Sequence, residues 1–170
     1  MSELEVKILE VNAIKITQEL ERLGAICAFD GTMDVVFFDF PDGRLDKQKI
    51  ALRLRSKGMS AELTMKKTTN QTRIKVAEET EVTVSNFEVM RQILKASGLR
   101  ETKSYQKHRA SWKLEGVSFE LDSISGIPTF LEIEAQSEEL IFVWVRKLGF
   151  SEEDAKPWRR QDLLAHYAKH

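Results

Sequence analysis

Acidic and basic residues recur in this chain at a spacing of two. Glu3 and Glu5 precede Lys7, Arg53 precedes Arg55, Glu79 precedes Glu81, Lys107 precedes Arg109, Glu120 precedes Asp122, and Glu132 precedes Glu134. Glu62, Thr64 and Lys66 continue the pattern. In an extended strand, residues i and i+2 share a face and stand ~7 Å apart. Like charges at that distance repel unless an opposite charge lies between them. Carboxylates in such pairs suit a hard divalent cation, and guanidinium and ammonium groups suit a phosphate-rich anion. The chemistry these residues suggest is therefore joint binding of metal and polyphosphate.

Period-two alternation fills most of the chain, and it must position these charges. Strands are expected near 2–11, 27–40, 48–57, 60–67, 73–84, 101–114, 117–124 and 129–136. The opposite faces are apolar: Leu4, Val6 and Ile8, then Leu52 and Leu54, Leu63 and Met65, Phe119 and Leu121, Leu131 and Ile133. A curved open sheet with one wet face would explain such alternation. So would a barrel with charges inside and apolar residues outside, under helices. The repeated like-charge pairs and the preference for Arg at 53 and 55 weigh against the open sheet.

Three helices interrupt the strands. Asn12 is a cap for a helix ending before Gly24, Ser85 with Glu88 forms a capping-box pattern closed by Gly98, and Ser137 caps a segment ending at Gly149. In the third, Glu138 and Glu139 lie early and Arg146 and Lys147 late, which complements the helix dipole. A short helical tail is expected from about Arg160. Gly58, Gly116 and Pro41-Asp42-Gly43 mark turns. Eight strands within 170 residues give an expected α+β fold, a closed eight-stranded antiparallel β-barrel forming a tunnel with a charged interior and helices packed outside. The expected organisation is a single domain over 1–170.

Composition narrows the partners. The 27 Asp and Glu nearly cancel the 26 Lys and Arg, which argues against a general nucleic-acid binder. Cys27 is the only cysteine, so no internal disulfide forms and a cytoplasmic setting is expected. Met1 to Lys7 lacks the apolar core of a signal peptide, and the longest apolar run, Leu140 to Val145, is too short to span a bilayer. No membrane partner is expected, and a homodimer is left open.

Taken in order, the motifs resemble the CYTH, or triphosphate tunnel metalloenzyme, family. Glu3-Leu4-Glu5-Val6-Lys7 resembles its N-terminal Glu-x-Glu-x-Lys signature. Phe37-Phe38-Asp39-Phe40-Pro41 resembles the segment after the first helix. Leu52-Arg53-Leu54-Arg55, Leu63-Thr64-Met65-Lys66, Glu79 with Glu81, Lys107-His108-Arg109, Leu121-Asp122 and Phe130-Leu131-Glu132-Ile133-Glu134 follow in family order. The resemblance covers essentially the whole chain. It implies a tunnel enzyme acting on triphosphates with Mg²⁺ or Mn²⁺. By the same resemblance, Arg53, Arg55, Lys66, Lys107 and Arg109 would grip polyphosphate. Glu3, Glu5, Glu132, Glu134 and, more weakly, Asp122 would hold metal. Lys7 would touch substrate or orient the nucleophile, and Glu5 or Glu81 would orient the attacking water. The chain departs from the family at Phe37-Phe38, where many relatives carry Tyr. It also departs at Arg159-Arg160-Gln161-Asp162, which leads into Leu163-Leu164 without the usual Ser-Tyr segment.

Other residues read as structural. His108 alternates away from Lys107 and Arg109, His166 and His170 lie in the tail, and Cys27 reads as a small buried residue. Trp112, Trp144 and Trp158 read as packing anchors, whereas Tyr105 shares a face with Lys107. The leading function is metal-dependent hydrolysis of an inorganic or organic triphosphate. The alternative is class IV adenylyl cyclase chemistry, converting ATP to cyclic AMP and pyrophosphate. A non-catalytic polyphosphate- or nucleotide-binding module comes third, because it would not need the acids.

Overall fold

The computed structural model describes residues 2–168, with the side chains of Ser2, Glu3 and Asn70 outside that description. In chain order the elements are β1 (Ser2–Ile8), α1 (Ala13–Arg22), β2 (Ile26–Asp39), α2 (Arg44–Lys47), β3 (Ile50–Lys57), β4 (Ser60–Gln71) and β5 (Lys75–Val84). They continue with α3 (Phe87–Ala96), β6 (Arg100–Leu114), β7 (Val117–Ile124), β8 (Ile127–Ala135), α4 (Glu138–Lys147), a 3₁₀ turn at Glu152–Asp154, the two-residue β9 (Ala155–Lys156) and α5 (Arg160–Tyr167).

Hydrogen-bonded neighbours run β5–β4–β3–β2–β6–β7–β8–β1–β9, and a further β5–β1 pairing returns the order to its start. The fold is α+β, with eight antiparallel strands closed as a barrel by that pairing and helices outside. The β6–β7 hairpin turns through Glu115 (φ 48°) and Gly116 (φ 77°), and such consecutive positive φ values match the twist of the flanking strands.

Local chemistry explains the helix starts. Asn12 accepts from the Lys15 amide at 3.0 Å, and Ser137 Oγ accepts from the Leu140 amide at 3.2 Å. The second long helix differs from the sequence expectation. Its cap is Asn86, whose Oδ1 accepts from the Val89 amide at 2.9 Å, one residue after Ser85. Glu88 faces Arg91 rather than closing a capping box. The four-residue α2 was not anticipated. It forms because the Asp39 carboxylate accepts the amides of Phe40, Leu45 and Asp46, which folds the chain back after Pro41.

Two compact units divide the chain. One comprises residues 2–30, 70–76 and 108–170. Its core joins Val6, Ile8, Phe119, Leu121, Leu131 and Ile133 of β1, β7 and β8 to Leu20 of α1 and to Ile141, Trp144 and Val145 of α4. Trp144 meets Phe119 edge-on at 5.1 Å. Each of these large side chains contributes about 1.5–3 kcal/mol by leaving water. Leu163 of α5 packs with Ile127 and Phe130 of β8, and Trp158 joins them. In the other unit, residues 31–69 and 77–107, Val36, Phe38, Leu54 and Ala61 pack beneath Leu94 of α3.

Much of the charged strand faces is also buried, which overturns the open, wet-sheet alternative. Glu5, Lys7, Glu62, Lys107, Arg109 and Asp122 are each under 10% exposed. Cys27 is a correction in the other direction. It is exposed on β2, because the first residues of that long strand lie outside the core.

Candidate active site

Within the unit of residues 2–30, 70–76 and 108–170, strand register sets the charges against one another. Glu5 stands opposite Glu134 and Lys7 opposite Glu132 across β1 and β8, and Glu120 of β7 stands opposite Glu132. Lys7 Nζ lies 2.6 Å from Glu5 Oε1 and 2.9 Å from Glu132 Oε1. Burial acts to lower the Lys7 pKa, but the Glu132 and Glu5 carboxylates outweigh it and hold the ammonium above its ordinary value. Lys75, the first residue of β5, brings its Nζ to 2.9 Å from the same Glu5 oxygen.

Arg109 is the second hub of this unit. Its Nε and Nη2 donate to the two Asp122 oxygens at 2.6 and 2.5 Å, and Nη2 also donates to Glu132 Oε2 at 2.9 Å. Glu120 lies 3.5 Å from Nη1 and accepts from Ser111 Oγ. Burial opposes the charge on Arg109, but Asp122, then Glu132 and Glu120, raise its pKa well above the usual guanidinium value. Asp122 therefore appears as the two-pronged partner of Arg109.

A second ionic cluster lies in the other unit. Arg55 Nε donates to Glu62 Oε2 at 2.5 Å, and its Nη2 reaches Glu81 Oε2 at 3.2 Å. Thr64 Oγ1 donates to Glu81 at 2.8 Å and accepts from Arg53 Nη2 at 3.4 Å. Lys66 pairs with Glu79 at 2.6 Å. Burial acts to raise the Glu62 pKa, but Arg55 and Lys57 outweigh it and hold the carboxyl below its ordinary value. Lys107 is buried on β6, while His108 turns outward to Asp30. Phe37 stacks on Tyr105 with ring centroids 6.3 Å apart, whereas Phe38 is a core residue.

Most of the expected residues thus fall into two sets, with Lys66 paired to Glu79 and Lys107 buried on β6. Glu5, Lys7, Arg109, Asp122 and Glu132 share one network, with Glu134 directly across from Glu5. Arg53, Arg55 and Glu81 share another through Thr64. Glu3 lies on β1, and its side chain falls outside the described residues. Sequence reasoning assigned no role to Lys75, although it shares parity with Glu79 and Glu81. Glu62, Thr64 and Glu120 were placed on charged faces without a role.

Among the described residues, no three His, Cys, Asp or Glu side chains stand gathered as a finished metal cage. The donor set nonetheless fits a hard divalent ion, because every expected ligand is a carboxylate. Glu5 directly opposite Glu134 is a like-charge cross-strand pair that a cation relieves.

The chain belongs to the CYTH domain family, whose model matches residues 1–154. A protein of Methanocaldococcus jannaschii, named as a candidate adenylate cyclase, is 28% identical over 140 residues, covering 82% of this chain and 80% of that one. The structure of the PH1012 protein from Pyrococcus horikoshii superposes with a TM-score of 0.78 at 28% identity, covering 95% of this chain and 98% of that one. A candidate adenylyl cyclase from Hippeastrum, described as having a dominant triphosphatase activity, shares the fold with a TM-score of 0.67 at 17% identity, covering 96% and 95% of the two chains.

Proposed function

We propose that the chain is a divalent-metal-dependent triphosphatase. The observation that carries this reading is the gathering of Arg, Lys and carboxylate side chains on the ionic strand faces, with Glu5, Lys7, Glu62, Lys107, Arg109 and Asp122 buried among them. Desolvated charges such as Lys7, Glu62 and Arg109 are held by opposite charges, and a metal–polyphosphate complex brings both signs to exchange with those partners. Arg53, Arg55, Lys66, Lys107 and Arg109 bind the phosphate oxygens, the arginines through planar two-pronged contacts. Glu3, Glu5, Glu132 and Glu134 would hold Mg²⁺ or Mn²⁺, with Asp122 a weaker candidate whose two oxygens hold Arg109 in place. The bound ion supplies Lewis-acid charge to the phosphate oxygens. Lys7, kept charged by Glu5 and Glu132, contacts the substrate and steadies the charge that develops on it. Glu5 or Glu81 accepts a hydrogen bond from the attacking water and orients it. Positioning and electrostatics account for most of the rate in phosphoryl transfer, so no Ser or Cys nucleophile is required. The single cysteine supports a cytoplasmic setting.

The relative from Methanocaldococcus jannaschii favours a second reading, adenylyl cyclase chemistry on ATP. The same cations would serve it, with the ribose hydroxyl attacking the α-phosphate and pyrophosphate leaving. Hydrolysis is preferred because every residue with an assigned role addresses phosphate or metal. An adenine reader needs a donor and an acceptor against the base edge. Of the adjacent aromatics Phe37 and Phe38, either of which could stack on a base, Phe38 is buried in the core, which leaves Phe37. The Hippeastrum protein shows the same fold carrying dominant triphosphatase activity, a likeness of fold alone.

Chromatography of products from inorganic triphosphate and from ATP, under matched metal and pH, tests the choice. Phosphate and pyrophosphate from the inorganic substrate, with only traces of cyclic AMP from ATP, are expected. Cyclic AMP as the dominant product, with little cleavage of inorganic triphosphate, would overturn hydrolysis.

A further inference from the structure

One carboxylate oxygen carries two ammonium groups. Glu5 Oε1 lies 2.6 Å from Lys7 Nζ and 2.9 Å from Lys75 Nζ. The lysines differ in how they are held. Lys7 is shared with Glu132 at 2.9 Å and so rests on two carboxylates. For Lys75, Glu5 is the ion-pair partner among the described residues. Lys75 reaches Glu5 because β5 pairs with β1, and its side chain is 11% exposed.

We propose that Lys75 is a positioning residue that guards the metal ligand Glu5. In the metal-free protein its ammonium neutralises the oxygen that a divalent cation takes, and on metal entry it is displaced from Glu5 and becomes available to a phosphate oxygen. The inference rests on the metal-and-triphosphate reading above. A dication at Glu5 repels both lysines. Lys75 has Glu5 as its ion-pair partner among the described residues, and its flexible four-carbon stem lets it move away. Metal alone must displace a cation from a buried pair. Metal arriving with a polyphosphate supplies the anion that the displaced ammonium then meets. Lys75 thus couples the two ligands, and each strengthens binding of the other by the same factor. It disfavours occupation by metal without substrate.

Titration of Mn²⁺ into protein without triphosphate, followed by electron paramagnetic resonance of the free ion, tests this. Lys75→Met removes the charge and keeps most of the stem, and it should bind Mn²⁺ about tenfold more tightly than wild type, as loss of a nearby like charge requires. Lys75→Arg, which retains the charge, should keep the wild-type affinity. A merely structural lysine would lower the melting temperature and leave Mn²⁺ affinity unchanged or weaker. If the Met variant fails to fold, Lys75→Gln carries the same test. Mn²⁺ binding by wild type with no gain in the uncharged variant overturns the role of Lys75 and leaves the metal reading standing. Absence of Mn²⁺ binding in wild type and every variant overturns both.

Discussion

Glu132 serves two cations at once, accepting from Lys7 through one oxygen and from Arg109 through the other. Glu132→Gln therefore removes a proposed metal ligand and leaves two buried cations short of an acid. Phosphate release from triphosphate should be abolished, and the metal-free protein should lose about 1–3 kcal/mol of stability, the range for a broken buried hydrogen bond. Assays at saturating metal, beside denaturant melts, check both effects. Glu134→Gln should abolish activity with the fold retained, and full activity at low metal would remove Glu134 from the ligand set. On the anion side, Arg53→Ala and Arg55→Ala should weaken tripolyphosphate binding more than Lys66→Ala. Each arginine offers a planar fork, whereas Lys66 offers a point charge. A tenfold or greater loss, about 1.4 kcal/mol or more, is expected for either arginine by titration calorimetry. Unchanged affinity in both would contradict the clamp.

At the level of elements, Asp39 shows how one side chain builds a segment. Its carboxylate accepts three backbone amides and thereby makes α2. Asp39→Ala should cost about 1–3 kcal/mol in unfolding free energy, from amides left without their acceptor. Asp39→Asn should cost less, since one oxygen remains, and paired chemical melts of the variants measure the order. The strands were readable because charged and apolar residues alternate strictly, as in Glu3 to Ile8 and Leu131 to Glu134. The start of α3 was misplaced because Ser85 and Asn86 are both good caps, and only backbone conformation chooses between them. The helix α2 was unreadable because four residues carry no periodicity. Lys75 was overlooked for a related reason: Ala77 separates it from Glu79 and breaks the run of charges on that face. The wet-or-buried question was open in sequence, since one alternation serves both, and burial of Lys7 and Asp122 settles it.

For the molecule as a whole, buried carboxylates set an acid limit. Burial acts to raise the pKa values of Asp39 and Glu62, but three backbone amides hold Asp39, and Arg55 with Lys57 hold Glu62, below ordinary values of 3.8 and 4.5. The unfolded chain therefore binds more protons than the folded one in that window. This stability is fully present above the ordinary values and is lost as pH falls through the depressed ones. Melting temperature should hold steady above about pH 5 and fall progressively below it, less so in Asp39→Ala, whose contribution is already gone. Thermal melts between neutral pH and pH 3 measure this, and an unchanged slope in the variant would contradict it. The pairing of β1 with β8 has a consequence in time. The partner of Ser2–Ile8, Ile127–Ala135, is synthesised more than a hundred residues after it. At about 5–20 residues per second, β1 waits on the order of ten seconds for β8. Glu5 and Lys7 spend that interval without Glu132 or Glu134, so a ribosome stalled before β8 carries a chain that has the cations of Arg53 to Lys66 but lacks the carboxylates of β8.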